Sequence, residues 1–177
     1  MKRRNVVLGI LGSGVIAGTG GALWLADSSN ERPLTIDAAL VTLDRLMEQE
    51  PITLGDWNLY QILTHCAQSV EYSMSGFPEH KPAIFKNTVG ALAFSVFSQK
   101  GEMTHGLNEI IPGAPSIPKI EETSSAYARF KDSMISFQSY SGTLAQHFAY
   151  GELAKLEYER AHAMHFYNHL LEIQLTS

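Results

Sequence analysis

Hydrophobic residues recur at steps of three and four along most of the chain after residue 32, the spacing that places them on one face of a helix. The pattern predicts helices over residues 33–49, 56–75, 121–140 and 153–174, with a further helical segment over 82–98. No segment sustains a strict alternation of hydrophobic and polar residues, so we expect no β-sheet. The chain is therefore predicted to be an all-α bundle.

Polar residues, glycines and prolines mark the ends of the predicted helices. Asp56 is a favourable N-cap for the second helix, and the Gly-Phe-Pro sequence at 76–78 ends it. Between residues 101 and 118 the chain carries three glycines and three prolines, which predicts a long loop. Loops of this length are uncommon inside compact domains and are often functional.

The first 26 residues have the order of an export signal. Lys2, Arg3 and Arg4 are followed by a stretch without charge from residue 6 to residue 26, and its glycine-rich composition after paired arginines is similar to a twin-arginine signal. The alternative is an uncleaved N-terminal anchor, because about 20 apolar residues are long enough to cross a bilayer. We therefore expect a signal or anchor over residues 1–26, a helical domain over 27–177, and a periplasmic or other extracytoplasmic location. Contact with a membrane is expected only through the N-terminal segment, if it is not cleaved.

Charge and cysteine content limit the possible functions and the possible metal ligands. The formal net charge of -5, without a clustered basic surface, argues against binding to nucleic acid. Cys66 is the single cysteine, so the chain can form neither an internal disulfide nor a multi-thiolate zinc site. Any metal ion must be held by nitrogen and oxygen atoms.

Three histidines share one face of the last predicted helix. At 100° per residue, His162, His165 and His169 fall within about 60° of one another. His165 and His169 are four residues apart, a spacing that lets two imidazoles reach one ion. His162 and His169 are about 10 Å apart along the axis, so all three are not expected on one ion, although His162 could replace one of the pair.

The second helix offers a further imidazole. His65 shares a mixed polar and aromatic stripe with Trp57, Gln61 and Tyr72, separate from the aliphatic face, and Gln61 could hydrogen-bond a ligand or a bound water. We therefore predict a metal site formed by His65, His165 and His169. The histidines in or next to loops (His80, His105 and His147) are interpreted as structural, and Cys66 as a small buried hydrophobic residue.

Two segments carry a family resemblance. Residues 57–70, WNLYQILTHCAQSV, and residues 147–170, HFAYGELAKLEYERAHAMHFYNHL, together resemble an exported branch of the DinB-like (DinB/YfiT) superfamily. The resemblance implies an antiparallel four-helix bundle, often a homodimer, with a zinc or nickel-type divalent ion held by three histidines. Position by position, His65 matches the first ligand, and His165 with His169 match the terminal HxxxH pair.

Two functions are compatible with such a site. In the first, a metal-dependent hydrolase or thiol transferase, the ion would activate water or a thiol of a small-molecule substrate. Glu71 and Glu172 are the nearest candidates for proton transfer, and neither lies well on the histidine stripe. In the second, the protein binds a metal or small ligand without turnover, non-covalent haem included. Superfamily resemblance alone does not select between them.

Overall fold

The computed structural model describes residues 32–175, and this part of the chain is mostly helical. The predicted signal segment lies outside the described residues. The helices are α1 (Ile36–Met47), α2 (Leu59–Ser75), α3 (Ala83–Phe85), α4 (Ala91–Lys100), α5 (Ser124–Ser139) and α6 (Lys155–His169), with a π-helical turn over Lys86–Gly90 and a 3-10 turn over Leu170–Glu172. The mostly helical class predicted from the hydrophobic spacing is confirmed.

Side-chain caps fix where the first two long helices begin. The hydroxyl of Thr35 accepts a hydrogen bond from the amide of Ala38 at 3.2 Å, at the start of α1. At the start of α2, Asn58 and Gln61 form a capping box in which each side chain accepts the other's backbone N–H at 3.1 Å. The prediction that Asp56 caps this helix is wrong. Its carboxylate instead accepts a hydrogen bond from Asn108 at 2.7 Å, which ties the long loop to the start of α2.

The long helices pack around a common core. Helix α2 packs along α5, and α6 packs against α1 and α2. The most deeply buried side chains come from each of these helices and include Leu43, Ile62, Phe130 and Phe166. The carboxylate of Glu159 on α6 also accepts the amide of Ile36 at 3.0 Å, at the helix end where an anion is favourable. Helix α6 is therefore held to α1 by packing and by this hydrogen bond, and it packs against α2 on the same core.

A short antiparallel sheet joins two distant parts of the chain. Strand β1 (Pro51–Thr53) pairs with strand β2 (Ile173–Leu175), with Ile52 opposite Gln174. The expectation of no sheet is wrong, and the last helix ends at His169 rather than at residue 174. Strands of three residues are too short to show alternation, and their pairing depends on contacts across some 120 residues of sequence, which no local pattern reports. The sheet ties the segment entering α2 to the segment leaving α6.

Residues 82–100 and the start of the following loop pack against α6, where Phe94 and Met103 are buried with Ala161 and Met164. The predicted helical segment is divided into α3, the π-helical turn and α4, and Gly90 closes the turn where an added Cβ would overlap the carbonyl oxygen of Ala149. The buried Lys86 donates a hydrogen bond to the side chain of Gln146 at 2.9 Å. From residue 101 to residue 123 the chain forms neither helix nor strand, as predicted for 101–118.

Within residues 32–175, no helix has both the length and the hydrophobicity needed to span a bilayer.

Candidate metal centre

Three histidines from two helices meet at the centre of the fold. His65 lies in the middle of α2, and His165 and His169 lie one turn apart at the end of α6. One ring nitrogen of each lies within 4.8 Å of the others, and the two Nε2 atoms of His65 and His165 are 3.1 Å apart. The structure thus brings together the three residues that the sequence predicted as ligands. It does so because the inward faces of α2 and α6 pack against each other.

Two rings of the cluster, those of His65 and His169, are buried, that of His165 is partly buried, and all three are electrically neutral. His169 is completely inaccessible to solvent and His65 is 3% exposed. Burial lowers the pKa of His65 to about 3, and it also holds the pKa values of His165 and His169 well below the usual range. At neutral pH each ring therefore keeps a nitrogen lone pair that can bind a cation.

Several nitrogens of the cluster have no hydrogen-bond partner. Both ring nitrogens of His169 and Nδ1 of His65 are buried and unpaired in the structure. Buried polar atoms almost always have a partner, so these nitrogens are unusual in lacking one. Trp57 packs against the other side of the cluster, parallel to His169 with ring centres 6.2 Å apart and edge-on to His65 at 5.0 Å. The indole thereby fixes the orientation of both rings.

A fourth histidine, interpreted from the sequence as structural, lies beside the cluster. The ring centre of His105 is 4.8 Å from that of His165, 5.1 Å from that of His169 and 6.5 Å from that of His65. It belongs to the long loop, where helical periodicity gives no information about side-chain direction. The one indication of His105 in the sequence was the length of its loop, because loops of this length are often functional.

His162 does not join the cluster. Its Nε2 lies 3.2 Å from the hydroxyl of Ser73, which itself donates to the carbonyl of Val70. The hydroxyl therefore accepts the N–H of His162, whose ring packs between Phe137 and Tyr158. The structure thus brings His165 and His169, and not His162, to His65.

Other side chains named from the sequence have separate structural partners. Nδ1 of His147 accepts the amides of Ala149 and Tyr150, each at 3.1 Å, as expected for a structural residue. Gln61 is held by the capping box and by the carbonyl of Ile117, and therefore is not a partner of the histidines. Glu71 forms an ion pair with Arg129 at 2.6 Å. Cys66 is buried, and burial raises the pKa of its thiol above its ordinary value.

A cavity of about 150 Å³ opens beside the cluster. Two rings of the cluster, those of His65 and His165, line it together with the ring of His105, whereas the fully buried His169 does not. A cavity of this size can hold a molecule about as large as benzene. Its polar lining outside the cluster includes Ser69 and the exposed Glu109, a carboxylate that the sequence did not single out.

Burial of further histidines predicts loss of stability in acid. Burial lowers the pKa values of His147 and His162 to about 3, whereas an unfolded histidine titrates near 6.5. Below pH 6.5 the unfolded chain binds more protons, so stability falls as the pH falls, by about 1.4 kcal/mol per pH unit for each ring. We expect the metal-free protein to melt at a clearly lower temperature at pH 5.0 than at pH 7.5. Equal melting temperatures by circular dichroism would contradict this assignment of neutral buried rings.

Comparison with known proteins places the chain in one family. Searches of curated proteins and of solved structures gave no match. Residues 30–176 match the family model described as "Protein of unknown function (DUF1569)". Because this match spans most of the chain, the protein belongs to the DUF1569 family.

Proposed function

We propose that this protein binds one divalent metal ion, of the zinc or nickel type, through His65, His165 and His169. The observation that carries the proposal is the convergence of three neutral imidazoles from two helices, with ligand atoms within 4.8 Å of one another. Two nitrogens bound to one tetrahedral ion at about 2.1 Å are about 3.4 Å apart. The separation of 3.1 Å between Nε2 of His65 and Nε2 of His165 is close to that value.

The donor atoms support this type of metal. An ion at the cluster would meet imidazole nitrogens, and the single cysteine has a buried thiol outside the group of potential ligands. Imidazole suits zinc, nickel, copper and iron, whereas calcium and magnesium require a shell of oxygen atoms. One of the two unpaired ring nitrogens of the fully buried His169 would gain a partner on binding.

The cavity supports a role in small-molecule chemistry, as a metal-dependent hydrolase or a thiol transferase. Three protein ligands leave a coordination position open, where an ion lowers the pKa of a bound water or thiol. His65 and His165 line both the cluster and the cavity, so a small substrate there would lie beside the ion. Glu109 lines the same cavity and is the side chain we propose for proton transfer.

The alternative is a binding module without turnover. Its support is that Glu109 is exposed to solvent, with no buried carboxylate among the cavity residues to act as a base of raised pKa. Turnover of small esters or thiol conjugates that stops on chelation favours the enzyme. Tight metal binding without turnover on such a panel favours the module.

The sequence also supports a superfamily, an oligomeric state and a location for this protein. A Trp57-to-His65 segment in α2 and an HxxxH pair in α6 support membership of the DinB-like superfamily, and with it an antiparallel four-helix bundle that forms homodimers. The basic and then uncharged N-terminal sequence supports export from the cytoplasm.

A zinc titration of the metal-free full chain tests the metal site. We expect one ion per chain, and we expect cobalt or nickel to quench the fluorescence of Trp57, which packs against two of the ligands. The Trp24→Phe variant leaves Trp57 as the single tryptophan of the chain and isolates this signal. Absence of saturable binding at neutral pH would exclude the proposal.

A further inference from the structure

We propose that His105, carried by the loop over residues 101–123, is a fourth nitrogen ligand of the same ion. The inference rests on the proposed metal site and adds a ligand that comes from outside the helices. It concerns the coordination position that three histidines alone would leave open.

The ring centres of the four histidines have nearly the spacing of imidazoles around one ion. The ligand atoms that already lie within 4.8 Å of one another are those of His65, His165 and His169, so His105 starts outside that group. Imidazoles that bind a tetrahedral ion at about 2.1 Å hold their ring centres about 5.2 Å apart. Among His65, His105, His165 and His169, five of the six ring-centre distances lie between 4.8 and 5.1 Å. The sixth, from His65 to His105, is 6.5 Å, so His105 has to move by little more than 1 Å.

The hydrogen bond of His105 leaves the lone pair of the ring on Nε2. Its Nδ1 lies 2.8 Å from the backbone carbonyl of Gly106, and a carbonyl can only accept, so Nδ1 carries the proton. The Nε2 atom of the neutral ring is then an acceptor, and it is buried without a partner. A ring held by one N–H to a carbonyl while its other nitrogen is free has the arrangement typical of histidines that bind metals.

The loop around His105 is held in place on both sides. Two residues earlier, Met103 is buried with Ala161 and Met164, which flank the ligands on α6. Later in the loop, Ile111 and Ile117 are buried in the main core. These anchors fix the backbone of the loop beside α6, so His105 does not depend on metal binding to reach the cluster.

A fourth ligand would close the open coordination position of the ion when no small molecule is bound. With His105 bound, four neutral nitrogens fill a tetrahedral shell, as in closed sites. Since His105 also lines the cavity, a small molecule in the cavity would reach the ion by displacing this ring or by adding a fifth ligand. The loop is thus the element that determines access to the ion.

The test compares the full chain with its His105→Ala variant, each loaded with zinc or cobalt. X-ray absorption should count four imidazoles in the parent and three in the variant, and zinc affinity should fall by about 100-fold or more. A residue that only orients a ligand typically costs 10- to 100-fold in affinity and leaves the number of imidazoles unchanged. Added free imidazole should restore the spectrum of cobalt-loaded His105→Ala by occupying the vacated position.

The matched control is His80→Gln, which removes an exposed histidine outside the cluster and should change neither measurement. Melting of the metal-free variants shows whether His105→Ala folds like the parent. Three imidazoles in both proteins, with affinities within tenfold, would overturn the role of His105 and leave the three-histidine site intact. A parent protein that binds no metal would overturn both proposals.

Discussion

Replacing His165 with glutamine is expected to weaken zinc binding by about 100- to 1,000-fold. Structural zinc sites bind with roughly 10 kcal/mol or more, so each of three or four ligands supplies about 3 kcal/mol, and every 1.4 kcal/mol is a tenfold change. Nε2 of His165 lies at the centre of the cluster, 3.1 Å from Nε2 of His65. The same loss is expected for His65→Gln. Competition of each variant with a chromophoric chelator measures the affinity.

The control for this experiment is His162→Gln. His162 lies on the same helix as His165 but donates to the hydroxyl of Ser73, and a glutamine amide can donate to the same oxygen. Its zinc affinity should stay within a few-fold of the parent. If His162→Gln loses zinc while His165→Gln keeps it, then the ligand set is different from the one proposed here.

Removal of the metal is expected to lower the melting temperature by about 5–10 °C. A ligand that binds only the folded chain at 100 times its dissociation constant stabilises by about 2.7 kcal/mol. For a domain of about 150 residues, each kcal/mol shifts the melting temperature by about 2–4 °C. The ion would join α2 to α6 at a point where His65 and His169 are buried with unpaired nitrogens.

Thermal melts with excess zinc and with a chelator measure this shift. At a zinc concentration of about 100 times the parent's dissociation constant, the His165→Gln protein should show little or no shift, because its affinity for zinc is about 100- to 1,000-fold weaker. A parent protein whose melting temperature does not respond to zinc would contradict a site inside the fold. An equal response in His165→Gln would assign the effect to binding elsewhere on the chain.

Local chemistry of the sequence predicted the helices well and their ends less well. Helix α1 begins three residues after Pro33, where Thr35 can cap it, and α2 begins at Asn58 rather than at Asp56. Both side chains at the second boundary are good caps. Asn58 is the N-cap because Gln61, three residues later, completes a capping box with it. The side chain of Asp56 is instead hydrogen-bonded to Asn108 in the loop.

The histidines of the candidate site also differ in how far the sequence predicted them. His165 and His169 follow from spacing on one helix, and His65 from its place on a mixed stripe of another. His105 could not be predicted because a loop has no period that fixes where a side chain points. Its position depends on the burial of Met103 beside α6 and on a hydrogen bond to the carbonyl of Gly106.

The mostly helical class, the long loop, and the two helices whose inward faces carry histidines could all be predicted from the chain, because the hydrophobic spacing and the helix repeat are local properties. The pairing of β1 with β2, the exclusion of His162 and the approach of His105 follow from the packing of the folded chain. Each of these depends on contacts between residues far apart in the chain, whose geometry is set when the helices pack and their buried polar atoms find partners.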